Sequence, residues 1–189
     1  MTEQTEYSAD LAGVFVESVR NLGATVEVIK KSPETLCVSL QKATDGEQFV
    51  LLADPDFLEP ELFDLFRQDK RVVSQPTKEQ LSTIHAGVTD AFCGVASTGS
   101  VCVSVSKNLT SPASLLTRKH IAVVDAGTIV QRPRDVFSAG SFSMKNLNRS
   151  FSFITGPSAT ADMGPLVIGV HGPGELHIIL LSGRDPHGV

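Results

Sequence analysis

Apolar positions recur at helical steps near the start of the chain. Leu11, Val14, Phe15, Val19 and Leu22 repeat every three or four residues and Gly23 follows as a stop, so residues 8–23 read as an amphipathic helix. Thr25-Val-Glu-Val-Ile29 then alternates as a strand does. Ser32-Pro33 supplies an N-cap and a first-turn proline, opening a second helix that ends before Asp45-Gly46. The wholly apolar residues 49–53 suit a strand covered on both faces. Residues 60–67 predict a helix, 71–74 a strand, and Thr77-Lys-Glu-Gln80 a capping box before a short helix. From residue 91 the texture turns to strands, at 91–96, 101–105, 120–124, 151–155, 166–170 and 176–181, with one helical stretch over 134–148. Thr89 and Asp90 read as a turn before the first of these.

Alternating helices and apolar strands indicate an α/β domain with a mostly parallel sheet. The short Gly172-Pro-Gly174 connector predicts that the last two strands pair antiparallel, as a C-terminal β-hairpin. The chain's 189 residues fit one domain, 1–189, with 1–83 as helix/strand scaffold and 84–182 carrying the distinctive motifs. A domain of this size buries roughly 70% of the surface its unfolded chain exposes. Hydrophobic residues at 41% and charged residues at 20% are ordinary globular values.

A net charge of −5 argues against nucleic acid as a partner, because phosphate binding calls for a basic patch. No apolar run approaches the ~20 residues of a membrane span, and the opening Met-Thr-Glu-Gln-Thr-Glu lacks the features of a signal peptide. The expected location is cytoplasmic. Cys37, Cys93 and Cys102 show no Cys-x-x-Cys spacing and are expected as buried reduced thiols, fewer than the four thiolates an iron–sulfur cluster usually takes. No spacing is diagnostic of a metal site, and no nucleotide-binding glycine motif is present.

Candidate chemistry concentrates in two polar, glycine-rich loops, Thr155-Gly-Pro-Ser-Ala-Thr-Ala-Asp162 and Gly169-Val-His-Gly-Pro-Gly174. The first follows the strand 151–155, and ligands of open α/β sheets favour the carboxyl ends of strands. Gly156 permits close backbone approach, while the hydroxyls of Thr155, Ser158 and Thr160 can donate to the oxygens of a small organic anion. Local capping bonds are the competing reading of those hydroxyls. Asp162 either orients a catalytic group or caps a turn. His171 is the one candidate general acid or base of the two loops, since imidazole titrates near neutrality. Thr98 and Gly99, in the hydroxyl-rich Ala96-Ser-Thr-Gly-Ser100, join the candidate ligand-binding set, with a hairpin turn as the alternative. A serine hydrolase is disfavoured because Ser158 lacks the Gly-x-Ser-x-Gly context.

These loop words, with Gly87-Val-Thr-Asp90, Ala96-Ser-Thr-Gly99 and His120-Ile-Ala-Val-Val124, resemble the LUD-domain family over residues 84–181. The resemblance implies a three-layer α/β sandwich similar to the ribose-phosphate isomerase and CoA transferase-like fold. It further implies a subunit of a cytoplasmic multi-protein system that oxidises L-lactate to pyruvate. In that system the iron–sulfur clusters belong to partner subunits, no cofactor resides in this chain, and the ligand is a small organic anion such as lactate. Ser97 stands where many members of the family carry an acidic residue, which weakens any mechanism needing a carboxylate there. The alternative is a self-contained enzyme using Ser158, Thr160 and His171 on a sugar-phosphate or acyl substrate, and a third reading is an assembly module without a catalytic residue.

Overall fold

The computed structural model describes residues 3–105, 109–138, 149–161 and 164–183. The first helix, α1 (Glu3–Asn21), leads into β1 (Thr25–Lys30). Ser32 caps α2 (Pro33–Ala43) by accepting the Thr35 N–H at 3.2 Å, and Pro33 sits in the first turn, as the sequence predicts. Then come β2 (Val50–Leu52), a 3₁₀ turn running into α3 (Asp64–Arg67), and β3 (Val72–Val73). In α4 (Lys78–Leu81), Thr77 and Gln80 close the predicted capping box.

The next strand is one the sequence reading did not contain. β4 spans Ala86–Asp90 and is buried throughout, so Thr89 and Asp90 end a central strand instead of forming a turn. β5 (Cys93–Val95) and β6 (Ser100–Ser104) form a hairpin, a π-helical turn covers Pro112–Leu116, and β7 (Lys119–Asp125) returns to the main sheet. Of the helical stretch expected over 134–148, Pro133–Phe137 forms a 3₁₀ turn and residues 139–148 lie outside the described residues. The chain continues through β8 (Phe151–Ile154), β9 (Ala159–Thr160), β10 (Val167–Ile168) and β11 (Glu175–Ser182).

Six strands make an all-parallel sheet in the order β1-β11-β7-β4-β2-β3. β11 lies between β1 and β7, which corrects the expected pairing of the last two strands: β10 pairs antiparallel with β9. A hairpin does stand near the carboxyl end, but it is built from β9 and β10. The physical reason lies in β11 itself. Leu176, Ile178 and Leu180 project into one core and Ile179 and Leu181 into the other, so the strand satisfies both only in the middle of the sheet.

Leu36 and Leu40 of α2, with Phe63 and Phe66, cover one face of the sheet. Phe15 and Val19 of α1 cover the other, together with Val101 and Val103 of β6. Each such buried side chain contributes roughly 1.5–3 kcal/mol of hydrophobic stabilisation. On the α1 side the antiparallel sheet β5-β6-β8 completes the third layer, so the expected three-layer α/β sandwich is what the chain forms. Among the described residues no helix is long and apolar enough to cross a membrane.

Candidate functional site

The two glycine-rich loops meet. Ser158 N–H donates to Pro173 O at 2.8 Å and Gly169 N–H donates to Ser158 O at 2.8 Å, so the backbone of the first loop is stitched to both ends of the second. Gly172 fits closely enough that a Cβ there would stand 3.3 Å from Ser158 Cβ. His171 is exposed at the outer turn of the second loop, Thr160 lies in β9, and Asp162 falls outside the described residues.

Around the first loop the hydroxyls form a chain. Thr98 Oγ1 lies 2.7 Å from Ser100 Oγ, which lies 2.7 Å from Thr155 Oγ1. Ser100, buried at the centre of the chain, belongs to the hydroxyl-rich sequence word but is not singled out there, because its neighbours in the turn carry the same chemistry. Three hydroxyl protons serve two mutual bonds, so one proton of the chain is left to donate elsewhere. Thr155 is exposed and Thr98 half-buried, so both ends of the hydroxyl chain reach the surface.

Gly99 and Gly156, at φ +62° and +71°, are pressed against α1. A Cβ on Gly99 would stand 2.8 Å from Ser18 C and Val19 N, and one on Gly156 3.1 Å from Leu22 Cβ. Their small size therefore seats both turns on the carboxyl end of α1. Gly99→Ala combines a left-handed backbone with a backbone clash and is expected to cost about 2 kcal/mol, read by urea denaturation. The expected position of the first loop is also corrected: β8 belongs to the small antiparallel sheet, and the loop lies toward the side where β1 begins, away from the carboxyl edge of the parallel sheet.

At that carboxyl edge stands a polar cluster the sequence reading did not find. Connections leave β2 toward β3 and β4 toward β7, in opposite directions, and such switch points favour ligand crevices. Here the gap is bridged by Asp90, whose Oδ2 accepts the N–H groups of Asp56, Phe57 and Leu58 at 2.8, 2.6 and 3.0 Å. Burial pushes the Asp90 carboxyl above the ordinary carboxylate range against the pull of those three donors. Beside it, Arg149 pairs with Asp56 and lies over the Phe57 ring, 5.3 Å from its centroid. Lys31, after β1, joins Asp125 at 2.8 Å and Glu59 at 3.0 Å, and its hydrogen bond to Asp125 raises the ammonium pKa. Aspartate ending a buried strand and facing the loop after the neighbouring strand was the available signal, hidden because β4 itself was missed.

A pocket of about 580 Å³ opens at the amino edge, lined by Thr25, Glu27, Lys42, Lys119, Glu175 and His177 among others, with Gly174 of the second loop at its rim. Glu27 accepts from Ser39 at 2.6 Å and pairs with Lys42 at 3.2 Å, and the Ser39 bond leads in lowering its pKa. Lys119 pairs with Glu175 at 3.3 Å. Each charge in this wall thus has an opposite partner. His177, joined to Thr25 Oγ1 at 2.7 Å, is held below the usual histidine range by burial. Among the described residues no three metal-ligating side chains converge.

The comparisons with known proteins accord with this architecture. A family model described as the LUD domain matches residues 13–181. Lactate utilization protein C of Bacillus subtilis is 29% identical over 154 residues, covering 74% of this chain and 64% of that protein. The proteins of the same name from Anoxybacillus flavithermus and Bacillus licheniformis are 31% and 34% identical, over 56% and 52% of this chain and 48% and 42% of their own lengths. The chain thus spans about half the length of these curated relatives. A solved DUF162 family protein from Deinococcus radiodurans shares the fold, with a TM-score of 0.68 at 21% identity, covering 92% of this chain and 98% of that one.

Proposed function

This chain belongs to the LUD-domain family, and from that premise we propose that it serves lactate utilization as a cytoplasmic subunit of a multi-protein system oxidising L-lactate to pyruvate. Its own part is to bind the small organic anion. Support for the pathway comes from relatives that carry the lactate utilization name. The observation that carries the binding role is the Thr98–Ser100–Thr155 hydroxyl chain, whose two threonine ends reach the surface. A 2-hydroxy acid presents carboxylate and hydroxyl oxygens close together, which a row of hydroxyl donors and acceptors can meet. Neutral hydrogen bonds contribute about 0.5–1.5 kcal/mol each, so binding through this chain is expected in the millimolar range.

Electron carriers, in this reading, belong to partner iron–sulfur subunits. Cys93 and Cys102 adjoin on the α1 side of the sheet, whereas Cys37 packs against the α2 core on the other side. The fold therefore keeps the three thiols from sharing one cluster.

The test is lactate-dependent dye reduction in extracts lacking this gene, restored with the wild-type chain or with Ser100→Ala. Wild type should restore the rate, and Ser100→Ala should require roughly tenfold more lactate, since it breaks the middle of the chain. Equal rates with and without the wild-type chain would sink the lactate assignment, while identical lactate dependence of the two would sink the hydroxyl site alone.

A further inference from the structure

Cys93 and Cys102 stand directly opposite each other on the antiparallel pair β5–β6, both buried, with their thiols hydrogen-bonded together. Directly opposed residues of antiparallel strands have Cα atoms ~4.5–5.5 Å apart. A disulfide spans Cα separations of about 4.4–6.8 Å, so the two sulfurs can join without displacing either strand. A pocket of about 230 Å³, lined by Cys93, Phe92 and residues 127–130, lies beside Cys93. Hydrogen peroxide is little larger than water, whose share of liquid volume is about 30 Å³, and fits there easily.

We propose that Cys93 and Cys102 are an oxidation site, a dithiol that closes to an intrachain disulfide when a small hydroperoxide enters the pocket beside Cys93. The S–H of Cys93 is donated to Cys102, which lowers the proton affinity of Cys102 and raises that of Cys93. That proton belongs to the pair, so once one thiol proton is lost the negative charge can reach either sulfur. With the charge on Cys93, its sulfur attacks one peroxide oxygen, the O–O bond breaks, and the departing hydroxide takes up the proton first lost from the pair and leaves as water, giving a sulfenic acid. Cys102 sulfur then attacks the Cys93 sulfur, the S–O bond breaks, and the hydroxyl leaves as a second water with the Cys102 proton. Two thiols are oxidised by two electrons and one peroxide is reduced to two waters. The bond would lock the hairpin whose turn holds Thr98 and whose second strand begins at Ser100, tying oxidation to the geometry of the hydroxyl chain.

Cys37 is the internal control. It lies in α2, away from any second thiol, and burial pushes its pKa up.

The experiment exposes the full wild-type chain to hydrogen peroxide, alkylates the remaining thiols in denaturant and digests with trypsin. No Lys or Arg lies between Lys78 and Lys107, so both cysteines fall in one tryptic peptide. The expected result is loss of both alkylation sites together, a peptide lighter by two hydrogens, recovery on reduction, and Cys37 still alkylated. Alkylation of both cysteines after peroxide treatment, sulfinic acid at either, or disulfides joining two chains would overturn the proposal. Because the wild-type chain carries the readout, no variant has to fold.

Discussion

Asp90→Ala is expected to lower the unfolding free energy by about 4 kcal/mol. Its carboxylate is the shared acceptor for three backbone donors, and a buried donor left unpaired costs about 1–3 kcal/mol. The sum is trimmed because Asp56 and Phe57 are only half-buried and water reaches part of the turn. Asp90→Asn keeps the shape and one acceptor oxygen but brings an NH₂ group toward the same donors, so about half of the loss is expected. The order wild type, Asn, Ala in urea midpoints is the measurement. An alanine variant within 1 kcal/mol of wild type would mean that Asp90 does not hold the loop after β2. Loosening that loop should also disturb Phe57, whose ring centroid lies 5.1 Å from that of Phe92, and the Asp56–Arg149 pair.

The second large effect is a pH dependence. His120 is wholly buried in β7, with Nε2 2.9 Å from Thr89 Oγ1, and burial lowers its pKa to about 3 from the ordinary 6.5. The unfolded chain therefore takes up a proton that the folded chain refuses over the interval from about 6.5 down to about 3. Stability from this residue is fully present above 6.5 and is lost as pH falls, at up to about 1.4 kcal/mol per pH unit, or about 5 kcal/mol over the whole interval. His177, also lowered by burial, acts in the same direction, so comparison with His120→Gln isolates the first residue. Urea midpoints at pH 7, 6 and 5 should fall for wild type and fall less for the glutamine variant. Parallel curves would show that the imidazole finds a way to be charged in the folded state.

Both of these residues lie in words the sequence made conspicuous, Gly87-Val-Thr-Asp90 and His120-Ile-Ala-Val-Val124, yet neither role was legible there. Asp90 was read as part of a turn because a strand ending in Thr-Asp looks like the start of a loop, and only burial on all sides reveals β4. Gly87 has the same explanation: a Cβ there would stand 2.1 Å from Ala113 O, a contact between residues distant in sequence. The local elements fared better. The α1 helix, the Ser32-Pro33 start of α2 and the Thr77–Gln80 capping box depend on residues within one or two turns of each other, and each forms, although of the α1 stripe Val14 and Leu22 stay exposed. Of the candidate site, the hydroxyl-bearing residues were readable by type. That Ser100 links Thr98 to Thr155 depends on β6 pairing with β8, with Val101 opposite Ile154.

Sequence by itself determined the α/β class, the caps and the family, because capping, periodicity and turn chemistry act through near neighbours along the chain. Only the tertiary structure decided that β11 enters the middle of the sheet, that Asp90 ties the loop after β2, and that Cys93 meets Cys102. Those outcomes turn on which distant surfaces exclude water together, and apolar burial carries no direction along the chain that would name the partner in advance.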